Sequence, residues 1–234
     1  MPSDGSAKAP HPASSEIIGL YERHSARFDS LRGRSLFERG WLDRFRQVAG
    51  EGAAILDLGC GSGEPIGRYL IEAGHPLTGI DSAPSMIALC RQRFPAERWL
   101  VADMRRVRLN ERFGGLIAWD SFFHLTPDDQ RAMFGVFAAH AARGAALMFT
   151  SGPGAVEAIG SFEGETLYHA SLDSAEYRAL LSMHGFDVIA HRAEEPDCGG
   201  RTVWLACRTG ETRVRAQTDA LDTGCALQPN GVRS

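Results

Sequence analysis

No apolar run in this chain approaches the roughly 20 residues that a membrane-spanning helix needs, so no membrane span is expected. The opening residues, MPSDGSAKAPHPASSE, lack the apolar core of a secretory signal. They read as a disordered leader over residues 1–15. Cysteine is sparse: Cys60, Cys90, Cys198, Cys207 and Cys225 are scattered and form no CxxC pair. That argues against a disulfide framework or a structural zinc and points to a reducing, cytoplasmic setting. Positive charge is not in excess. With a net charge of -4 and an isoelectric point near 6.1, no global field invites nucleic acid or an anionic membrane. The cluster Arg105, Arg106 and Arg108 is short and reads as a solvated loop. The eight histidines form no i, i+4 pair with acids, so no metal site is expected.

What remains is an ordinary globular composition over 234 residues, 44% apolar and 23% charged, which suits one sizeable domain. Residues 16–50 carry helical periodicity (Ile18, Tyr21, Phe28, then Leu36, Trp41, Phe45), interrupted at Gly33 and read as two helices. From Ala53 strands and helices alternate. Strands are expected at 54–58, 77–80, 99–102, 116–119 and 145–150, with helices at 66–73, 85–93 and 127–142. Thr126-Pro127-Asp128-Asp129 is a strong helix start: a threonine cap, proline in the first turn, and acids at the positive end of the dipole. Beyond Ser151 the rhythm changes to a short strand at 165–169, a helix at 174–184, and strands at 186–191 and 202–207. The loop between the last two is too short for a parallel crossover, so they should pair antiparallel. The expectation is an α/β, Rossmann-like three-layer sandwich, with a seven-stranded, mostly parallel sheet ending in an antiparallel hairpin. Residues 51–208 would form that domain and 209–234 a flexible tail.

The most informative stretch is ILDLGCGSGEP, residues 55–65. In an open parallel sheet, ligands bind beyond the carboxyl ends of the strands. A dinucleotide fingerprint there would read G-x-G-x-x-G. Here Gly59, Gly61 and Gly63 give G-x-G-x-G, and Glu64 stands where the third fingerprint glycine belongs. Asp57 precedes the loop and Glu64 follows it, so a pyrophosphate would meet two carboxylates at short range. A cationic ligand reverses the sign, and S-adenosylmethionine carries a sulfonium and an ammonium.

Together, LDLGCGSG, LTGIDSAPSMI and VADM, at three successive strand ends, resemble the motifs of class I S-adenosylmethionine-dependent methyltransferases over about residues 21–208. The resemblance implies S-adenosylmethionine as cofactor and assigns roles residue by residue. Asp57 would hold the loop and face the methionine ammonium, and Gly59 and Gly61 would let the backbone approach, with Cys60 as a small filler beside them. Asp81 would bind both ribose hydroxyls. Ser82 and Met86 would flank the adenosine, Asp103 would accept from the adenine amino group, and the Met104 backbone would address the ring. Trp119, Asp120 and Ser121 would lie under the sulfonium.

The acceptor side is less explicit. The segment WDSFFHL lacks the Asn/Asp-Pro-Pro-aromatic motif of amino-methylating DNA enzymes, and the chain lacks the Pro-Cys nucleophile of the cytosine-C5 type. A small-molecule acceptor is therefore expected, with no nucleic acid and no membrane, and with the protein a monomer or homodimer. Asp120 and His124 are the catalytic candidates, His124 as general base because imidazole titrates near neutrality. Tyr168 and His169 follow the glycine-rich segment TSGPGAVEAIGSFEGE, which either shapes the acceptor pocket or connects elements. Tyr21, Phe28 and Arg34 stand on helices that either lie over the site as a lid or pack on the sheet. A non-catalytic S-adenosylmethionine binder, a nicotinamide-dependent oxidoreductase and an aminopropyl transferase are the alternatives.

Overall fold

A computed structural model describes residues 11–210. The expected leader and tail lie largely outside that range. Seven strands form one sheet in the order β3-β2-β1-β4-β5-β9-β8. Its strands are β1 Ile55–Leu58, β2 Leu77–Asp81, β3 Arg98–Val101, β4 Phe113–Ala118, β5 Ala141–Ser151, β8 Phe186–Glu195 and β9 Arg201–Arg208. The first five are parallel, whereas β9 pairs antiparallel with both β5 and β8. The fold class and the antiparallel ending are those expected from the sequence.

The central strand β1 is buried along its whole length, as a parallel strand covered on both faces must be. Two apolar clusters lie on opposite faces of the sheet. One joins Phe134 and Phe137 of α6 (Pro127–His140) and Tyr177 of α7 (Ser174–Met183) to Phe149 and Trp204. The other joins Trp41 and Phe45 of α3 (Arg39–Ala49), Leu70 of α4 (Ile66–Glu72) and Cys90 of α5 (Pro84–Arg93) to Ile55, Ile117 and Met148. Helix α6 starts as its sequence dictates: the Thr126 side chain accepts from Asp129 N at 3.2 Å, and Pro127 occupies the first turn. It ends at His140, two residues before the expected point. β5 begins at once, with Ala141 pairing Phe113, and Gly144, at φ +81°, lies inside that strand at a register shift.

Two regions depart from expectation. The segment before α3 contains two helices, α1 Ala13–Arg23 and α2 Ser25–Leu31, so the first helix starts inside the stretch read as leader. The glycine-rich connection is half of a separate two-stranded hairpin, β6 Val156–Phe162 paired antiparallel with β7 Glu165–Ser171. Its two-residue turn, Glu163-Gly164, has φ of +52° and +80°. Positive φ at both central turn residues matches the twist of the flanking strands. Glutamate is an unusual residue in that role, which is why the sequence hides the hairpin.

Candidate functional site

The order 3-2-1-4-5 reverses direction between β1 and β4, and a cavity opens there, beyond the carboxyl ends of the strands. Gly59, at φ +83°, makes the first turn of the loop. A Cβ on it would fall 2.3 Å from Ser121 Cβ, so the β1 and β4 loops can approach this closely only through glycine. Ser121 Oγ completes the junction by donating to Leu58 O at 2.7 Å.

Asp81, at the end of β2, faces the cavity. Its Oδ2 accepts from Gly61 N at 2.9 Å and its Oδ1 from Ala83 N at 2.9 Å. The carboxylate is thereby aimed by the loop it stabilises. Burial, the largest influence, raises its pKa against those backbone hydrogen bonds. Each oxygen keeps a lone pair for a vicinal diol. Ser82, Met86, Asp103 and Met104 also line the cavity.

Three of the residues assigned to the cofactor are not among the residues lining the cavity. Asp57 is buried beneath the loop, where burial first and Asp81 second push its carboxyl up to about 7. Cys60 is a core residue against Trp99, with burial raising its thiol pKa well above the usual value. Trp119 alternates onto the α3 face of the sheet, into the core, and its indole N–H has no partner there. Glu64 does not line the cavity either; its carboxylate is held by Arg68 at 2.5 Å. The negative wall of the cavity is therefore made by Asp81, Asp103, Asp120 and Asp129, rather than by the acids flanking the glycine loop.

On the acceptor side, Asp120 lines the cavity with a left-handed backbone, φ +50°, and is gripped by Arg201 of β9 at 2.5 and 2.7 Å. His124 is buried. Its Nδ1 lies 2.9 Å from the Tyr168 carbonyl, which can only accept, so Nδ1 carries the proton. Nε2 therefore accepts from the Tyr21 hydroxyl at 2.9 Å. Burial holds the imidazole pKa down at about 4, opposed by the Tyr168 carbonyl. Burial, then Asp120 and Asp81, raise the Tyr21 phenol. His169 stacks near His124 at 4.9 Å between ring centroids without lining the cavity. Tyr168 contributes its carbonyl. Its ring packs with Ala13 and Ile17, and its hydroxyl donates to Glu157 at 2.8 Å. Arg34 does not reach the site: it binds Asp29 at the surface.

Of the two readings of the N-terminal segment, the described positions divide them. Helix α3 packs on the sheet, whereas Ser14, Ile17, Ile18 and Tyr21 of α1 and Phe28 of α2 roof the cavity. Tyr21 and Phe28 meet edge to face at 5.3 Å, with Phe162 of the hairpin beside them. The roof is tied on one side to α5, through Glu22 to Ser85 and Asp29 to Arg93 at 2.6 Å. On the other side it is tied to the hairpin, through Arg23 and His24 to Glu165. Arg105, expected in a solvated loop, instead lines the cavity bound to Asp103 and Asp129, and the sequence did not point to Arg201, Phe162 or Glu22. Arg105 had a local signal, standing two residues after Asp103; Arg201 acts 81 residues from its partner and had none.

Residues 55–144 match the family of the methyltransferase domain. Among solved structures, a 1,6-didemethyltoxoflavin-N1-methyltransferase from Burkholderia thailandensis, with S-adenosylhomocysteine bound, superposes with a TM-score of 0.67 at 17% identity, over 88% of this chain and 93% of that one. An amino pentose methyltransferase from Micromonospora echinaspora, with S-adenosylmethionine bound, gives 0.62 at 20% identity, over 80% and 96%. The chain thus shares the fold of these methyltransferases, and the part of it similar to the methyltransferase-domain family is residues 55–144. Curated relatives are two malonyl-[acyl-carrier protein] O-methyltransferases. The one from Serratia marcescens is 25% identical over 142 residues, 59% of this chain and 55% of its own length. The one from Pectobacterium atrosepticum is 36% identical over 61 residues, 26% and 24%. The chain spans between a quarter and about half of the curated relatives it matches. Among the described residues no helix is long and apolar enough to cross a membrane, and no cluster of three or more His, Cys, Asp or Glu could hold a metal.

Proposed function

We propose that this protein transfers a methyl group from S-adenosylmethionine to a small-molecule acceptor by in-line displacement. The observation that carries this reading is the Asp81 carboxylate, fixed by Gly61 N and Ala83 N and facing a cavity rimmed by acids beyond the carboxyl ends of β2, β3 and β4. The residues fit the cofactor: Asp81 for the ribose diol, Met86 and Ser82 beside the nucleoside, Asp103 and Met104 at the base, and a net-negative wall for a cation. When bound, S-adenosylmethionine supplies a sulfonium methyl that is already electrophilic. The chain's own work is to orient the acceptor and exclude water. Ile17, Ile18 and Phe28 close the cavity from above.

No strong base stands free at that wall. Asp120 is neutralised by the Arg201 fork, and the His124 lone pair is occupied by the Tyr21 hydroxyl. We therefore assign His124 to holding Tyr21, and with it α1, over the site, instead of to proton abstraction. The acceptor would enter as a nucleophile in its own right. Both curated relatives are named as O-methyltransferases, which makes an oxygen acceptor the first to try. The four described cysteines are free thiols, which supports a reducing cytoplasmic setting. We retain the expectation of a monomer or homodimer that does not act on nucleic acid.

The engaged state of Asp120 and His124 also favours a second reading, a non-catalytic S-adenosylmethionine binder. Incubation with trideuteromethyl S-adenosylmethionine and a metabolite extract separates the two. Labelled products with matching S-adenosylhomocysteine are expected. Tight cofactor binding with no labelled product would leave the binder.

A further inference from the structure

We propose that Arg105 is a specificity-determining residue that makes Asp103 a reader of one amino group on the cofactor's base; this rests on the cofactor reading above. Asp103 ends the β3 loop and lines the cavity beside Met104 and Arg105. Arg105 returns on it twice. Its backbone N donates to Oδ1 at 3.0 Å, and its guanidinium grips the carboxylate side-on, Nε at 2.9 and 3.0 Å and Nη2 at 2.6 Å. The same guanidinium donates through Nη1 to Asp129 in the first turn of α6, at 2.9 Å. Arg105 is therefore held by two elements before any ligand arrives.

Two consequences follow for a ligand. A carboxylate offers about four acceptor sites. Three N–H groups (the Arg105 backbone N, Nε and Nη2) make four contacts with it, because Nε divides between Oδ1 and Oδ2, so one acceptor site can pass to a further donor only where Nε shares. The carboxylate can neither rotate nor take up a proton while its fork is intact. That single acceptor suits an exocyclic amino N–H. It is repelled by a base carrying a carbonyl at the same position, because no donor is left to turn outward. The charge count agrees: one guanidinium stands between two carboxylates, so this end of the cavity keeps one negative charge. A loose aspartate could instead rotate or protonate and so tolerate either base. Discrimination therefore lies in the fork as well as in the acid.

The test is calorimetric titration of the full chain with S-adenosylhomocysteine and S-inosylhomocysteine, comparing wild type with Arg105→Gln, Arg105→Lys and Asp103→Asn. Wild type is expected to favour the adenine compound by about 100-fold or more, the scale on which unpaired polar groups discriminate. In Arg105→Gln that ratio should fall at least tenfold. Arg105→Lys, which keeps the charge without the fork, should fall between. Asp103→Asn, whose amide can donate, should gain affinity for the hypoxanthine compound. A thermal melt within a few degrees of wild type confirms that each variant is folded. An Arg105→Gln ratio equal to wild type overturns the proposal, as does tighter S-adenosylhomocysteine binding, which would mean that Arg105 competes with the base for Asp103. Absence of any S-adenosylhomocysteine binding by wild type would sink the cofactor reading itself, and this inference with it.

Discussion

The two halves of the cavity are built by different means. The half formed by the ends of β1, β2 and β3 is held by backbone: glycine torsions, Asp81 on two amide N–H groups, and the contact of Gly59 with Ser121. The half formed by α1, α2 and the β6–β7 hairpin is held by side chains from distant parts of the chain: Tyr21 on His124, Glu22 on Ser85, Asp29 on Arg93, Glu165 on Arg23. The first half should tolerate little change and fail abruptly. The second should loosen by degrees, as suits a roof that must admit two substrates.

The predictions sharpen that contrast. The largest effect is expected from Gly59→Ala. Its Cβ would lie 2.3 Å from Ser121 Cβ at φ +83°, and the strain alone costs about 1–3 kcal/mol. Cofactor binding should be abolished with a drop in Tm, both read from a melt with and without S-adenosylhomocysteine; normal binding would show that the loop is not rigid. Next is Asp81→Ala, which removes two charge-assisted hydrogen bonds to the ribose as well as the brace on Gly61. S-adenosylhomocysteine affinity should fall by about 100-fold or more, roughly 3 kcal/mol. Titration of the two proteins checks this.

His124 gives a smaller effect with a defined sign. Its folded pKa, about 4, lies below its ordinary 6.5. The unfolded chain therefore binds the extra proton between those values, so this stabilisation is fully present above pH 6.5 and is lost as pH falls toward 4. Asp57, raised to about 7, has the opposite sign: its contribution is present at low pH and lost as pH rises through 7. Unfolding free energies of wild type and His124→Gln from urea curves, compared from pH 6.5 to 4.5, should converge as pH falls, by up to about 3 kcal/mol. Parallel curves would place His124 among ordinary titrating histidines. The smallest effects belong to the roof ties. Asp29→Asn breaks a partly buried fork and should speed S-adenosylhomocysteine release about fivefold, whereas Glu165→Gln, on an exposed pair, should change it less than twofold.

The same contrast explains what the sequence could reveal. Backbone-built features are local. Gly59, Asp81, Met86 and Asp103 were legible through the family resemblance, whose three short motifs each follow a strand, and the helix start at Thr126 was legible from four residues. The register that turned Trp119 into the core was not read, although side chains alternate along a strand and Asp120 already pointed to the cavity. The roof was only half legible. Its ties join residues more than 60 positions apart, and its hairpin turns on a glutamate in a glycine-like conformation. Arg34 and His124 show the remaining difficulty. Residue type suggested cavity contact and proton transfer, but Asp29 takes the first and the Tyr21 hydroxyl occupies the second.

The most direct measurement is isothermal titration of the wild-type protein with S-adenosylhomocysteine, with NADH as the comparison ligand. Micromolar binding of S-adenosylhomocysteine and none of NADH is the predicted result. Binding of NADH alone would contradict the account, because a dianionic pyrophosphate would then have to sit against Asp81 and the net negative charge that Asp103 and Asp129 keep around Arg105.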